Sequence, residues 1–363
     1  MKFRAEPAYA HDQVQRIGVL LVNLGTPQSP TASAVRRYLA EFLSDHRVVE
    51  IPRLIWLPIL YGIILLIRPA RSARKYAGVW TAAGSPLAVH TDAQSRALGA
   101  ILEARHPGRL VVDWAMRYGA RAMGERLSAL RAAGCDRLVV VPLYPQYAAS
   151  TTASTSDALG TWLARTRHQP EVRFIKHFHR DPRYIAALAA RVQAHWQAQG
   201  RSELLVMSFH GVPRRSLDLG DPYHCECYVT ARLLAEHLQL QPTQYKVTFQ
   251  SRFGRAKWLE PYTEPTLEAL AHSGTQSVDV ICPGFVSDCL ETLEEINLEA
   301  RATFLSAGGK RFSYIECLNE EATWMDALAG LVEDHAHAWL SQNESAALRN
   351  ARADRARQIG AER

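Results

Sequence analysis

Eight short runs of β-branched and aliphatic residues alternate with longer amphipathic stretches, and this rhythm restricts the fold more than any other feature of the sequence. Four runs come early: RIGVLLVNLG at 16–25, RLVVDWAMRYG at 109–119, DRLVVVPLYP at 136–145 and VRFIKHF at 172–178. Four more follow: ELLVMSFHG at 203–211, YKVTFQS at 245–251, SVDVICPGF at 277–285 and RFSYIECL at 311–318. Strands separated by helix-length segments form βαβ units, whose strands run parallel beneath covering helices. The predicted class is α/β, in two similar lobes.

The segments between these strands carry apolar positions three or four apart, notably 182–199, 223–238 and 288–304, and are predicted helices. The first lobe is placed at 14–165 and the second at 170–320. A last helix at 321–340 is expected to return to the first lobe, and 341–363 reads as a frayed or solvated tail. At 363 residues and 47% hydrophobic, the chain can bury one or two sizeable cores.

Charge and cysteine content narrow the classes further. A formal charge of +6 is modest and dispersed; it suits an anionic ligand or an acidic membrane surface and calls for no nucleic acid. Residues 1–15 hold no apolar stretch of the kind a secretory signal needs, which predicts a cytoplasmic protein, with room for peripheral attachment to the inner membrane face. Six scattered cysteines fit reduced thiols better than a disulfide framework.

Leu54 to Ile67, LIWLPILYGIILLI, carries no charge. It is shorter than the roughly 20 residues a membrane-crossing helix requires, and Pro58 and Gly62 are expected to interrupt it. Two readings fit: a flexible apolar lip, at about 51–68, that dips into a membrane face or closes over a flat ligand, or a buried helix.

Ligands of open parallel sheets bind beyond the carboxyl ends of the strands or between lobes, so strand-end residues are the informative ones. His210 ends one apolar run and precedes the turn Gly211-Val212-Pro213. There an imidazole can accept a proton or ligate a divalent metal, although a lone strand-end histidine is more often structural. Asp288, Glu291, Glu295 and Glu299 fall in one line if 288–304 is an α-helix. Like charges so aligned repel unless cations or protons relieve them, so the line either carries metal and protons or is a solvated acidic face. Its start after Cys282-Pro283-Gly284-Phe285 directs the first turn toward the cleft of His210. Asp288 also suits ordinary helix capping.

Several longer motifs point one way. SFHGVP, GDPYHCEC, TFQSRFGRAKWLEPYT and CPGFVSDCLETLEEINLE, with NLGTP, AGSPL and LYPQYAASTTAS before them, together resemble the ferrochelatases over about residues 16–320. The resemblance implies two Rossmann-like, chelatase-like lobes enclosing an active-site cleft for a porphyrin. It implies ferrous iron and a porphyrin as substrates, and the apolar lip favours protoporphyrin IX, with protoheme as product, over the more carboxylated coproporphyrin. His210 and Glu291 match the family's metal-site histidine and glutamate, Glu295 its next acidic residue and Asp288 its helix-start aspartate. The segment at 54–67 looks like the family's membrane-associating lip.

Metallation requires iron to shed water, the ring to pucker and two pyrrole protons to leave. His210, Glu291 and Glu295 are the expected catalytic residues, His210 and Glu291 the expected metal ligands, and Asp288 and Glu295 further candidates; which moves protons and which guides iron stays open. Leu24, Tyr76 and Trp258 are candidate walls of a cleft that strains the ring, and Arg71 and Ser85 candidate propionate partners. Each has an alternative place in core or surface.

The sequence departs from iron–sulfur relatives: Ala149 stands where they have a cysteine, and no cysteine follows Cys317. No cluster and no other resident cofactor is expected. Cys225 and Cys227 could pair on a metal but lack partners for the usual four ligands. Cys289, where some relatives have histidine, reads as a small apolar helix residue. Alternatives are a coproporphyrin ferrochelatase, a chelatase loading another metal into another tetrapyrrole, and a non-catalytic heme-binding protein. A carrier has no need of the acidic line. A nucleotide-dependent enzyme is disfavoured because NLGTP lacks the Gly-X-Gly-X-X-Gly loop.

Overall fold

The computed structural model describes residues 3–254, 256–342 and 345–361. The eight apolar runs become strands β1 Arg16–Thr26, β2 Leu110–Gly119, β3 Cys135–Pro142, β4 Glu171–Phe174, β5 Leu204–His210, β6 Tyr245–Gln250, β7 Ser277–Ile281 and β8 Arg311–Ile315. They form two parallel four-stranded sheets, ordered β2-β1-β3-β4 and β6-β5-β7-β8. The second repeats the connectivity of the first. In such an order the chain reverses direction across the sheet between the first and third strands of each lobe, where α/β folds open a crevice at the strands' carboxyl ends. In the second lobe these strands are β5 and β7, so His210 and the loop after Ile281 stand at the switch point.

Sheet cores consist of the residues that made the runs legible. Val19, Leu21, Val139, Val141, Leu205, Met207 and Ile281 belong to one buried cluster, while Val206, Val278 and Val280 lie on the opposite face of the second sheet. Covering helices start where local chemistry predicts. Asp181 accepts from the Arg183 N–H before a helix opening at Pro182, and Thr31 accepts from Ala34 before Ala32–Ser44. Gly25 is dictated sterically: with φ of 130°, any Cβ there would lie 2.2 Å from the Tyr118 carbonyl oxygen on the paired strand.

Two boundaries differ from expectation. β4 pairs with β3, so the segment at 171–174 completes the first sheet rather than opening the second lobe. A four-residue, half-buried edge strand carries too little pattern to reveal its sheet. The helix Ala322–Leu340 returns to the first lobe as expected, packing on Pro86–Arg105, and packs also on Pro182–Gln199, which ties the lobes together. Part of the presumed tail forms a helix, Ala346–Gln358, with Ala353 and Ala356 buried and the Arg352 Nε donating to the His11 carbonyl at 2.6 Å. Its apolar stripe is only alanine wide, and its partner lies at the other end of the chain.

The apolar segment also differs. Pro58 and Gly62 do not interrupt it: Arg53–Val79 is helical throughout its 27 residues, and an 18-residue window within it has mean hydropathy 1.6, long and apolar enough to cross a membrane, though only 22% of that window is buried. Proline removes one backbone donor, and the following turn, Leu60–Ile64, takes π-helical geometry. Leu54, Ile67, Leu66, Ile55, Tyr61 and Ile63 all stand exposed.

Candidate functional site

His210 ends β5 beside Gln250, its partner on β6. Its Nδ1 lies 2.6 Å from the Gly211 carbonyl oxygen. A carbonyl only accepts, so Nδ1 carries the proton and the neutral ring keeps its lone pair on Nε2, the form that takes up a proton or binds a metal. The Tyr223 hydroxyl donates to the His210 carbonyl at 2.9 Å. Gly211 is required here, since a Cβ would sit 2.6 Å from the Gln250 carbonyl oxygen and 3.2 Å from the Trp258 ring. Trp258 therefore borders the histidine, as does Phe285, whose ring centre is 6.4 Å from the imidazole.

Gln250 joins the histidine to the acidic segment. Its amide donates to the Glu291 carbonyl at 2.8 Å and lies 3.4 Å from Glu295 Oε2. The next residue clamps Glu295: the Ser251 N–H and hydroxyl donate to its two oxygens at 2.5 and 2.6 Å. Ser251 does so from φ of 66°, a strained conformation for a residue with a Cβ, of the kind found where geometry serves a site. Burial pushes the Glu295 carboxyl above the ordinary glutamate range, against the Ser251 bonds and the nearby His210, and Glu291 adds to the rise.

The predicted single line of carboxylates is not what forms. Glu291–Ala300 is a π-helix, whose wider turns bring residues five apart together. Glu294 and Glu299 thus converge on the Lys75 ammonium at 2.9 and 2.7 Å, joining the acidic helix to the lip helix, while Glu291 and Glu295 remain with Gln250. Asp288 is corrected as a metal candidate. It is buried, and its carboxylate accepts from Tyr314 at 2.6 Å, Thr292 at 2.9 Å and Asn319 at 2.7 Å, bonds that fix the start of the acidic segment.

On the lip side, Tyr76 is buried in one apolar cluster with Tyr38, against which Leu24 and Leu290 pack. Burial, then the negative charge of Glu291, pushes the Tyr76 phenol well above its usual range. Burial holds the neighbouring Arg68 guanidinium below its usual range, and its charge lies 4.7 Å from the centre of the Phe253 ring, reaching across to the loop after β6. Leu24 and Tyr76 thus share the apolar cluster on the lip side, and Trp258 lies beside Gly211 on the histidine side. Arg71 is exposed on the lip helix. Ser85 is corrected as a propionate partner: it is buried and accepts the Thr26 hydroxyl at 2.7 Å. Arg68, Gln250 and Ser251 escaped the sequence reading, only the run TFQSR marking the last two, while Phe285 was noted as a strand-end residue without a role.

Cys225 is exposed and Cys227 buried, as helix positions two apart should be, which rules out a shared metal. Cys289 is buried in an apolar cluster with Leu87 and Met116.

The family model described as Ferrochelatase matches residues 16–336. A ferrochelatase of Aromatoleum aromaticum is 59% identical over 363 residues, covering 100% of both chains. One from Methylibium petroleiphilum is 58% identical over 365 residues, again covering 100% of each. Among solved structures, SirB from Bacillus subtilis with Fe3+ matches with a TM-score of 0.53 at 12% identity, over 89% of this chain and 97% of that one. At that identity the likeness concerns the fold, two chelatase-like lobes.

Proposed function

The chain belongs to the ferrochelatase family, and from that premise we propose how its own residues divide the work. It is a lyase of heme biosynthesis that inserts iron into a porphyrin. The porphyrin in our reading is protoporphyrin IX, and no resident cofactor enters the mechanism.

The observation that carries the proposal is the joining of His210, Glu291 and Glu295 through Gln250 and Ser251 at the switch point of the second sheet. Insertion exchanges two pyrrole protons for one ferrous ion. Nε2 of His210 accepts a pyrrole proton on one face of the ring. Glu295, whose raised proton affinity suits it to receive rather than release a proton, takes the other by way of Glu291. Glu291 at the mouth of the acidic segment also presents hard oxygen to the incoming iron. Trp258 and Phe285 on one side and Tyr76 on the other form walls that bind a bent macrocycle better than a flat one, so binding strain works toward the transition state.

The exposed face of Arg53–Val79 supports peripheral association with a membrane, on whose cytoplasmic side we place the protein. The test of the site is anaerobic incubation with ferrous iron and either protoporphyrin or coproporphyrin, followed by porphyrin absorbance. His210→Ala and Glu291→Gln each abolish turnover with circular dichroism unchanged. Near-normal rates in both variants would remove the site, and faster metallation of coproporphyrin would replace the substrate.

A further inference from the structure

Outside the porphyrin slot, a second set of metal-ligating side chains converges where the two lobes are joined. His177 lies in the irregular stretch after β4 and His179 in the turn that follows, closed by the Asp181 N–H donating to the Phe178 carbonyl at 3.0 Å. Both imidazoles reach one carboxylate, while Phe178 between them turns inward against Tyr184 and Trp324. Glu226, in the first turn of the helix Tyr223–His237, meets them from the second lobe. Its Oε1 lies 2.7 Å from His177 Nδ1 and its Oε2 3.2 Å from His179 Nδ1, and all three ligand atoms fall within 4.8 Å of one another.

These groups are held in place. The Tyr147 N–H donates to Glu226 Oε2 at 2.7 Å, and the Thr230 hydroxyl donates to the His179 carbonyl at 2.8 Å. An independent observation points to a ligand: His179, 5% exposed, has its Nδ1 buried with no hydrogen-bond partner among the described residues. It is near enough to Glu226 to bond but not directed to do so. A buried polar atom left unpaired is costly, and one lying within reach of a carboxylate and a second imidazole is relieved by a cation. His177, at 34% side-chain exposure, leaves the cluster open to solvent on one side, as entry of an ion and its remaining waters requires.

We infer that His177, His179 and Glu226 form a binding site for a divalent first-row transition ion, separate from the porphyrin slot. Two imidazoles and one carboxylate suit iron(II), cobalt(II), nickel(II) or zinc(II) rather than magnesium or calcium, whose shells are oxygen throughout. The site is linked to the slot by one helical turn: Tyr223, three residues before Glu226, holds the His210 carbonyl.

The test is anaerobic titration of the full-length, chelator-treated protein with cobalt(II), followed by its visible ligand-field bands. The protein carries His210→Ala and Glu291→Gln, which remove the slot's ligands and make the result independent of the mechanism proposed above. The expected result is one equivalent of bound cobalt(II), displaced by zinc(II). Adding His177→Ala, at a partly exposed position that the fold tolerates, weakens binding by at least about 10-fold. Glu226→Gln, which keeps an acceptor for the Tyr147 N–H, does the same. Absence of the bands in the slot double variant, or bands that survive both further substitutions, would overturn the inference.

Discussion

Glu295 shows how a single residue's environment sets its chemistry. A glutamate on a solvated helix titrates near 4.3. Here burial, with Glu291 close by, raises that value even though Ser251 supplies two hydrogen bonds to the charged form. The sign follows: Glu295 takes up its proton at a pH where ordinary carboxylates are still charged, so proton acceptance by the site fails early on acidification. The acidic limb of the kcat/KM profile should therefore lie above the ordinary glutamate range. Glu295→Gln should lower kcat/KM by roughly 10²-fold or more and shift that limb. A limb that stays in place in the variant assigns the ionisation to another group. His210 and Glu291 could be nominated from sequence because strand ends and helix starts carry function in parallel sheets. Ser251 and Arg68 could not, since a positive φ and a guanidinium lying over Phe253 across the slot arise only from the folded chain.

Two elements, the lip helix and the acidic segment, owe their behaviour to π-helical geometry. In the lip, the turn at Leu60–Ile64 carries the chain past Pro58 without a break and leaves a continuous apolar face. Leu54 is 93% exposed and Ile67 71%, and each would gain about 1.5–3 kcal/mol on burial in a bilayer. Replacing both with serine should weaken co-sedimentation with phospholipid vesicles by roughly 100-fold or more. Equal binding of the variant would leave the exposed face without a membrane role. In the acidic segment, the wide turns separate the Lys75-paired Glu294 and Glu299 from Glu291 and Glu295. A pattern of charges three and four apart suggests an α-helix, and sequence periodicity does not announce a change of helical type.

At the scale of the molecule, the helix Ala322–Leu340 binds the lobes into one unit. Trp324 is fully buried, with its ring centre 5.6 Å from that of Phe178 and 5.7 Å from that of Tyr184. Trp324→Ala should cost about 3–5 kcal/mol in urea unfolding. A loss below about 1 kcal/mol would show that the junction contributes little to stability. The same packing turns Phe178 inward and so sets His177 and His179 toward Glu226, which makes the junction between lobes part of the proposed metal site.

Apolar runs of strand length, spaced by amphipathic segments, determined from the sequence alone that this chain builds parallel sheets in two lobes. Burying those runs on both faces is the only way to remove them from water. The long motifs likewise identified the family, because the reaction constrains many residues in a fixed order. The tertiary structure decided what depends on partners distant in the chain: the sheet that β4 joins, the docking of the last helix against the start of the chain, the withdrawal of Asp288 into a hydrogen-bonded network, and the meeting of His177, His179 and Glu226. Local sequence records the propensity of a segment, whereas these outcomes rest on contacts between segments that only folding brings within reach.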